Sequence, residues 1–340
     1  MDSLTQIVLG ASVGEAVCGK KIGNKAMIWG AIAGTIPDLD VMLSPFQDLV
    51  QYLSNHRAFT HSFLFAVIFA PLFAWLMIKV FPKSKANYKD WFWLYFLGFA
   101  THALLDTFTT WGTQLLYPFS TYGFALYNIF VIDPFYTVPF LIFLISAAAL
   151  KKDRPRRRLL NNLGLTISSV YLFISLVNQQ VAEKVFQNAL AREGIQYTDF
   201  INKATPLNII LWSITVKTDE GYYFAYYSLF DRAENINFTF QKADHHLLDK
   251  YANQPKLARL LDITKGFYTV ERLNDRKLII KDLRFGQFNG WQDNSAGEFV
   301  FEYHMTDEGN DKLTFTQEEY TFKPDKAYLL AYFDRITGKE

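Results

Sequence analysis

The sequence predicts an α-helical polytopic membrane domain over residues 1–182, of about six helices, followed by a soluble α+β domain rich in antiparallel sheet over residues 183–340. Three observations carry this. Half of the 340 residues are apolar and 17% are aromatic, 32 of them Phe, which is a membrane composition diluted by something soluble. Long uncharged runs are confined to the first half of the chain. Apolar alternation around turn residues is confined to the second.

In order, residues 3–19 (SLTQIVLGASVGEAVCG) are apolar but hold Glu15, and 26–43 (AMIWGAIAGTIPDLDVML) are apolar until Pro37-Asp38-Leu39-Asp40. Each is short or charge-bearing against the roughly 20 residues a bilayer helix needs, so these two are the weakest of the six spans. His61 to Ile78 is uncharged with Pro71 inside it, and Trp91 to Leu105 is uncharged up to Asp106. Pro134 to Leu150 and Leu159 to Ala182, both uncharged, complete the set. The start lacks the basic, apolar and small-residue pattern of a signal peptide, so the spans themselves are expected to insert the chain.

Lysine and arginine set the expected orientation, because short cytoplasmic loops hold the excess of positive charge. Lys20, Lys21 and Lys25 follow the first span, Lys79, Lys83, Lys85 and Lys89 the third, and Lys151, Lys152, Arg154, Arg156, Arg157 and Arg158 the fifth. The alternate loops, 44–60 and 112–128, share only Arg57. Both the N-terminus and everything after the sixth span are therefore expected outside the cytoplasm. Cys18 then falls on the reducing side.

From residue 183 the pattern changes. EKVFQNALARE (183–193) has helical periodicity, and IILWSITVKT (209–218) and YYFAYYSLF (222–230) alternate around Asp219-Glu220-Gly221, which predicts a hairpin. Further strands are expected at 267–273, 277–283, 298–304 and 312–322, with a short helix near 255–262. A formal charge of +1 gives no global attraction for nucleic acid. The single cysteine excludes an internal disulfide and a Cys-rich zinc framework, so a metal would be held by His and carboxylate.

Ionisable residues are costly inside a membrane and often mark function. On the expected topology Asp38, Asp40, His56, His61, His102, Asp106 and Asp133 all fall on the outer side, enough for one or two zinc-type ions. His102 and Asp106, four apart, share a helical face. Within HRAFTHS (56–62), His56 and His61 are five apart and converge only if the first lies on a loop and the second begins a helix. Taken singly, each motif has a plainer account. HRAFTHS would be an interfacial loop with a helix cap at Thr60 or Ser62, Asp38-Leu39-Asp40 a turn, and His102 with Asp106 a buried hydrogen bond. Agreement in side and depth favours the metal. Glu15 lies at the other end, where an ion pair or packing hydrogen bond accounts for it, and His245, His246 and His304 read as solvated or packed.

MDSLTQ at the start, GTIPDLD (34–40), HRAFTHS and GFATHALLDTFTTWGTQLLYPFS (98–120), in this order, resemble the YdjM-type, LexA-regulated inner-membrane metal-dependent hydrolases, over about residues 1–150. The resemblance implies a multi-pass bacterial inner-membrane protein whose ligands match Asp38, Asp40, His56, His61, His102 and Asp106 here. More distantly, the His/Asp arrangement is similar to zinc-dependent phospholipase C and P1-type nucleases. Members commonly read MDxxTH at the start, whereas Gln6 stands in place of that histidine here, which leaves open whether one metal or two are held.

The expected function is thus a membrane-bound hydrolase using zinc, or alternatively manganese, at the outer face of the inner membrane. Asp38 or Asp40 would bridge or act as base, and Arg57 would pair with a phosphate. Headgroup depth suits a phosphoester, lipid-linked or amphiphilic substrate. The alternative is a non-catalytic envelope scaffold or sensor with a structural metal, its ligand shell closed by protein.

Overall fold

A computed structural model describes residues 1–231, 236–292, 298–310, 312–318 and 323–339. The chain divides into two units: Met1–Pro45 with Asn55–Leu176 and Pro206–Asn208, and Phe46–Ser54 with Val177–Thr205 and Ile209–Glu340.

In the first unit, α1 (Ser3–Ile22) starts at Asp2, whose carboxylate accepts the Thr5 N–H. Gly23, at φ +62°, turns the chain into α2 (Asn24–Thr35), which runs back along α1. The two helices meet backbone to backbone through Gly10, Gly14, Gly30 and Gly34, spaced four apart on each helix. A Cβ on Gly10 would stand 2.3 Å from the Gly30 carbonyl oxygen, and one on Gly34 2.5 Å from that of Gln6. Pro37 then tightens the chain into a 3-10 segment, Ile36–Phe46, that carries Asp38 and Asp40.

Ser62 caps α4 (Phe63–Val80), accepting the Phe65 N–H at 3.0 Å, which decides between the two candidate caps in HRAFTHS. An Asn87/Asp90 capping box opens α5 (Tyr88–Asp106). Asp133 caps α6 (Pro134–Ala148), and α7 runs from Pro155 to Glu193. The uncharged run 159–182 and the periodic stretch 183–193 are therefore one helix, with α3 (Leu49–Asn55) the short helix earlier in the chain.

Among the described residues, three helical segments are long and apolar enough to cross a membrane: Asn24–Phe46, Phe63–Val80 and Pro155–Glu193, with Pro134–Ala148 apolar but shorter. Of the other two expected spans, α5 packs inside the unit, with Trp91, Leu94, Tyr95 and Phe99 buried against α4 and its neighbours. A helix sheathed by others is not selected for lipid-facing hydropathy. The apolar side chains that point outward, such as Ile68 and Leu72 on α4 and Ile142 and Ile145 on α6, supply the face a bilayer would cover.

At the end of the unit away from Asp38, the Glu15 carboxylate receives Arg157 Nε at 2.6 Å and Nη2 beside it. Arg157 Nη1 is held by Asn24 Oδ1 at 2.6 Å and the Leu150 carbonyl at 2.8 Å, so the buried pair is satisfied by protein.

The second unit holds two four-stranded antiparallel sheets, in orders β1-β2-β3-β4 and β5-β6-β7-β8. The first comprises β1 (Asp199–Ala204), β2 (Leu211–Lys217), β3 (Gly221–Ser228) and β4 (Thr239–Lys242). β2 and β3 are the hairpin expected from alternation. The second comprises β5 (Tyr268–Asn274), β6 (Lys277–Gln287), β7 (Phe299–Asp307) and β8 (Leu313–Gln317), with α8 (Pro255–Ile263) before it and α9 (Lys326–Ile336) after it. The end of the strand expected over 312–322, from 319, lies outside the described residues. β1 and β4 have no counterpart in the sequence reading. The strand β1 buries Asn202 and Lys203, which masks its alternation, and β4 is only four residues long. Within this unit Asp282 is gripped by Arg284, and Lys203 Nζ donates to the Arg284 carbonyl at 2.6 Å. His245, packed on Tyr268 and bonded to its carbonyl at 2.8 Å, has the ordinary role expected for it.

Candidate metal centre

Asp38, His61, His102 and Asp106 reach one point from three directions, with one donor atom from each lying within 4.8 Å of the others. Asp38 comes from the 3-10 segment after α2, His61 from the last residue of the short 3-10 turn Phe59–His61, and His102 and Asp106 from the last turns of α5. His61 Nε2 is 3.3 Å from Asp38 Oδ1 and 3.3 Å from Asp106 Oδ2. His102 Nε2 is 3.4 Å from Asp38 Oδ1, 3.6 Å from Asp106 Oδ2 and 3.1 Å from His61 Nε2. Donors about 2.0–2.1 Å from a zinc ion stand about 3.3 Å apart along a tetrahedral edge, which these five distances approach.

Hydrogen bonds on the far side of each ring fix which nitrogen faces the centre. His102 Nδ1 lies 2.6 Å from the Gly34 carbonyl, which can only accept, so Nδ1 carries the proton and Nε2 presents a lone pair. The glycine contact between α1 and α2 is what brings that carbonyl into place. His61 Nδ1 is 3.0 Å from the Thr60 hydroxyl, which leaves its Nε2 to the same centre. His61 Nε2, the bare His102 Nε2 and two carboxylate oxygens then face one another. An acceptor-rich, buried set of this kind suits a cation.

Asp106 is divided between two tasks. Its Oδ1 receives Gln6 Nε2 at 2.9 Å and touches the Met1 amine, while Oδ2 turns to the histidines. Arg57 Nε is 3.2 Å from Oδ2 but off the hydrogen-bonding direction, and Oδ2 is buried without a hydrogen-bond partner among the described residues. Arg57 itself is buried at φ +57°, a left-handed conformation that a non-glycine residue adopts only when its surroundings enforce it. Here its N–H donates to Asp40 Oδ2 at 2.9 Å, its carbonyl accepts the Gln114 N–H at 2.9 Å, and its Nη1 donates to Thr109 Oγ1 at 2.9 Å.

The other expected residues lie around the cluster. Asp40 Oδ2 is 3.3 Å from His56 Nδ1 and 3.8 Å from His61 Nδ1, so Asp40 and His56 stand behind the His61 ring, on its Nδ1 side. His56 sits in the turn after α3 with its ring edge against Trp111, while His61 ends a 3-10 turn where the sequence had it begin a helix. Asp133 is not brought in: it caps α6 and accepts from the Tyr171 hydroxyl at 2.8 Å. Sequence reasoning did not assign the Gly34 carbonyl, Thr60 or Thr109. The four-residue glycine spacing marks where α1 and α2 touch but does not single out that carbonyl.

A family model described as YdjM inner membrane protein matches residues 1–182. Among curated proteins the chain is similar to uncharacterized protein YfhP of Bacillus subtilis (strain 168), 30% identical over 142 residues, which is 40% of this chain and 42% of that protein. It is also similar to inner membrane protein YbcI of Escherichia coli (strain K12), 28% identical over 145 residues, 40% of this chain and 82% of that protein. The match therefore spans less than half the length of YfhP. No solved structure matches the chain.

Proposed function

Because the chain belongs to the YdjM inner membrane protein family, we propose that it is a membrane-bound, metal-dependent hydrolase. The substrate class is a phosphoester, lipid-linked or amphiphilic molecule met at the outer face of the inner membrane. The observation that carries this reading is the convergence of Asp38, His61, His102 and Asp106, three of them buried, on one point. A divalent ion held there, zinc or manganese, would activate water and polarise a phosphoryl or acyl oxygen. Asp38, whose side chain is 23% exposed where the other three are fully buried, is the ligand best placed to yield its position. Asp40 and His56 back His61, orient it and complete the proposed ligand set if a second ion is held. Arg57 supplies a fixed positive charge beside Asp106 for an anionic substrate.

The alternating lysine and arginine content of the loops supports the division into an embedded part, 1–182, and an extracytoplasmic part, 183–340. A reporter fused to the C-terminus should be active only outside the cytoplasm. Purified protein should contain about one or two zinc or manganese ions per chain, and a screen of phosphoester, lipid and ester substrates should yield a turnover that chelator abolishes. A folded, metal-free preparation would sink the reading.

A second reading, an envelope scaffold or sensor with a structural metal, is favoured by one observation: four protein donors converge, the number a structural zinc site uses, whereas hydrolases keep a position open. Exchangeable water on the ion separates the two. Its absence, together with no turnover in the screen, selects the scaffold.

A further inference from the structure

We propose that Gln6 is a positioning residue of this centre, its amide nitrogen aiming Asp106 and its amide oxygen accepting a hydrogen bond from a water held among the four donors. The proposal rests on the metal-binding reading above. Gln6 is 1% exposed, on the second turn of α1. Its Nε2 donates to Asp106 Oδ1 at 2.9 Å and lies 3.3 Å from the His102 carbonyl oxygen. Both partners only accept, so the amide cannot be turned round without setting its oxygen against a carboxylate. The orientation is forced, and it has two effects.

The first effect falls on Asp106. With Oδ1 committed to Gln6, the carboxylate has one way to face the histidines, through Oδ2, the oxygen 3.3 Å from His61 Nε2 and 3.6 Å from His102 Nε2. The second falls on Gln6. Its Oε1 is buried and has no hydrogen-bond partner among the described residues. Being bonded to the same carbon as Nε2, it lies within about 5.5 Å of Asp106 Oδ1 by amide geometry. A buried acceptor without a donor calls for one from a ligand or ordered water. The adjoining side chains at the centre are mostly acceptors, which makes water, with two hydrogens to give, the fitting donor.

The test uses the full chain in detergent, with Gln6→Leu and the equally long Gln6→Met, either of which serves if the other fails to fold. Zinc affinity should fall on the order of 10- to 100-fold, as for other groups that orient a ligand from behind. With manganese loaded, the signal from exchangeable D2O deuterons near the ion should also change relative to the unsubstituted protein, a readout that a purely stabilising role would not move. Unchanged affinity and an unchanged deuteron signal in a folded variant overturn the proposal while leaving the metal centre intact. If the unsubstituted protein binds neither ion, the metal-binding reading fails and this proposal falls with it.

Discussion

Helix α1 has a buried polar side chain near each end, and the two have opposite surroundings. At Glu15 every charge has its protein partner: both carboxylate oxygens meet Arg157, whose remaining nitrogen is held by Asn24 and Leu150. At Gln6 the neighbouring Asp106, His61, His102 and Asp38 crowd acceptors together, and Asp106 Oδ2 and Gln6 Oε1 have no hydrogen-bond partner among the described residues although Arg57 Nε stands 3.2 Å from Oδ2. Burial of charge is common to both ends, so it does not identify a site. Imbalance does: a balanced buried pair closes on itself, and an unbalanced one asks for a cation. The sheet unit repeats the balanced case with Asp282 and Arg284, yet among the described residues the Lys203 amine beside them donates to a carbonyl alone.

The sharpest way to break this contrast is to remove ligands. His102→Ala combined with Asp106→Ala should abolish stoichiometric metal and all chelator-sensitive turnover while membrane insertion persists, checked by metal analysis of the membrane fraction. Retained metal would mean that the imbalance was misread. Glu15→Ala should do the reverse, leaving metal content unchanged but destabilising the helical unit by about 3–5 kcal/mol, because Arg157 is left buried and unpaired. Thermal denaturation in detergent measures it, and Glu15→Met with Arg157→Met should recover most of the loss.

The third prediction concerns Lys203. Burial pushes its amine down from 10.5 to about 7, with Asp282 acting weakly in the opposite sense. Between about pH 7 and 10.5 the unfolded chain therefore binds the proton that the folded one refuses, and stability rises with pH across that window, by at most about 1.4 kcal/mol per pH unit. Below it both states are protonated and the contribution is constant. Lys203→Met should flatten the slope in denaturation curves recorded against pH. The smallest effect is expected at Ser62: loss of the α4 cap in Ser62→Ala should lower stability by about 1 kcal/mol and leave zinc affinity within a few-fold, since His61 is held by Thr60 and by its neighbours at the centre.

Several of these features were legible in the sequence for identifiable reasons. His102 and Asp106 share a face because a helix repeats every 3.6 residues, and their spacing alone said so. In HRAFTHS His56 lies on a turn, as that reading required, but His61 ends a 3-10 turn just before the helix cap instead of beginning the helix. What was not legible depends on close three-dimensional packing. Hydropathy does not tell that α5 is sheathed by its neighbours, and depth along the chain groups Asp133 with the cluster although it serves α6. A carbonyl such as that of Gly34 has no side-chain signature at all.

The glycine contact between α1 and α2 has a consequence for mutational tolerance. The Gly34 carbonyl that holds His102 sits on the stretch of α2 where the two backbones touch, so the position of an imidazole nitrogen is set beside a contact that has no room for a methyl group. In a saturation library, Gly34 and Gly10 should therefore be as intolerant as the metal-facing residues themselves, although neither has a side chain to offer.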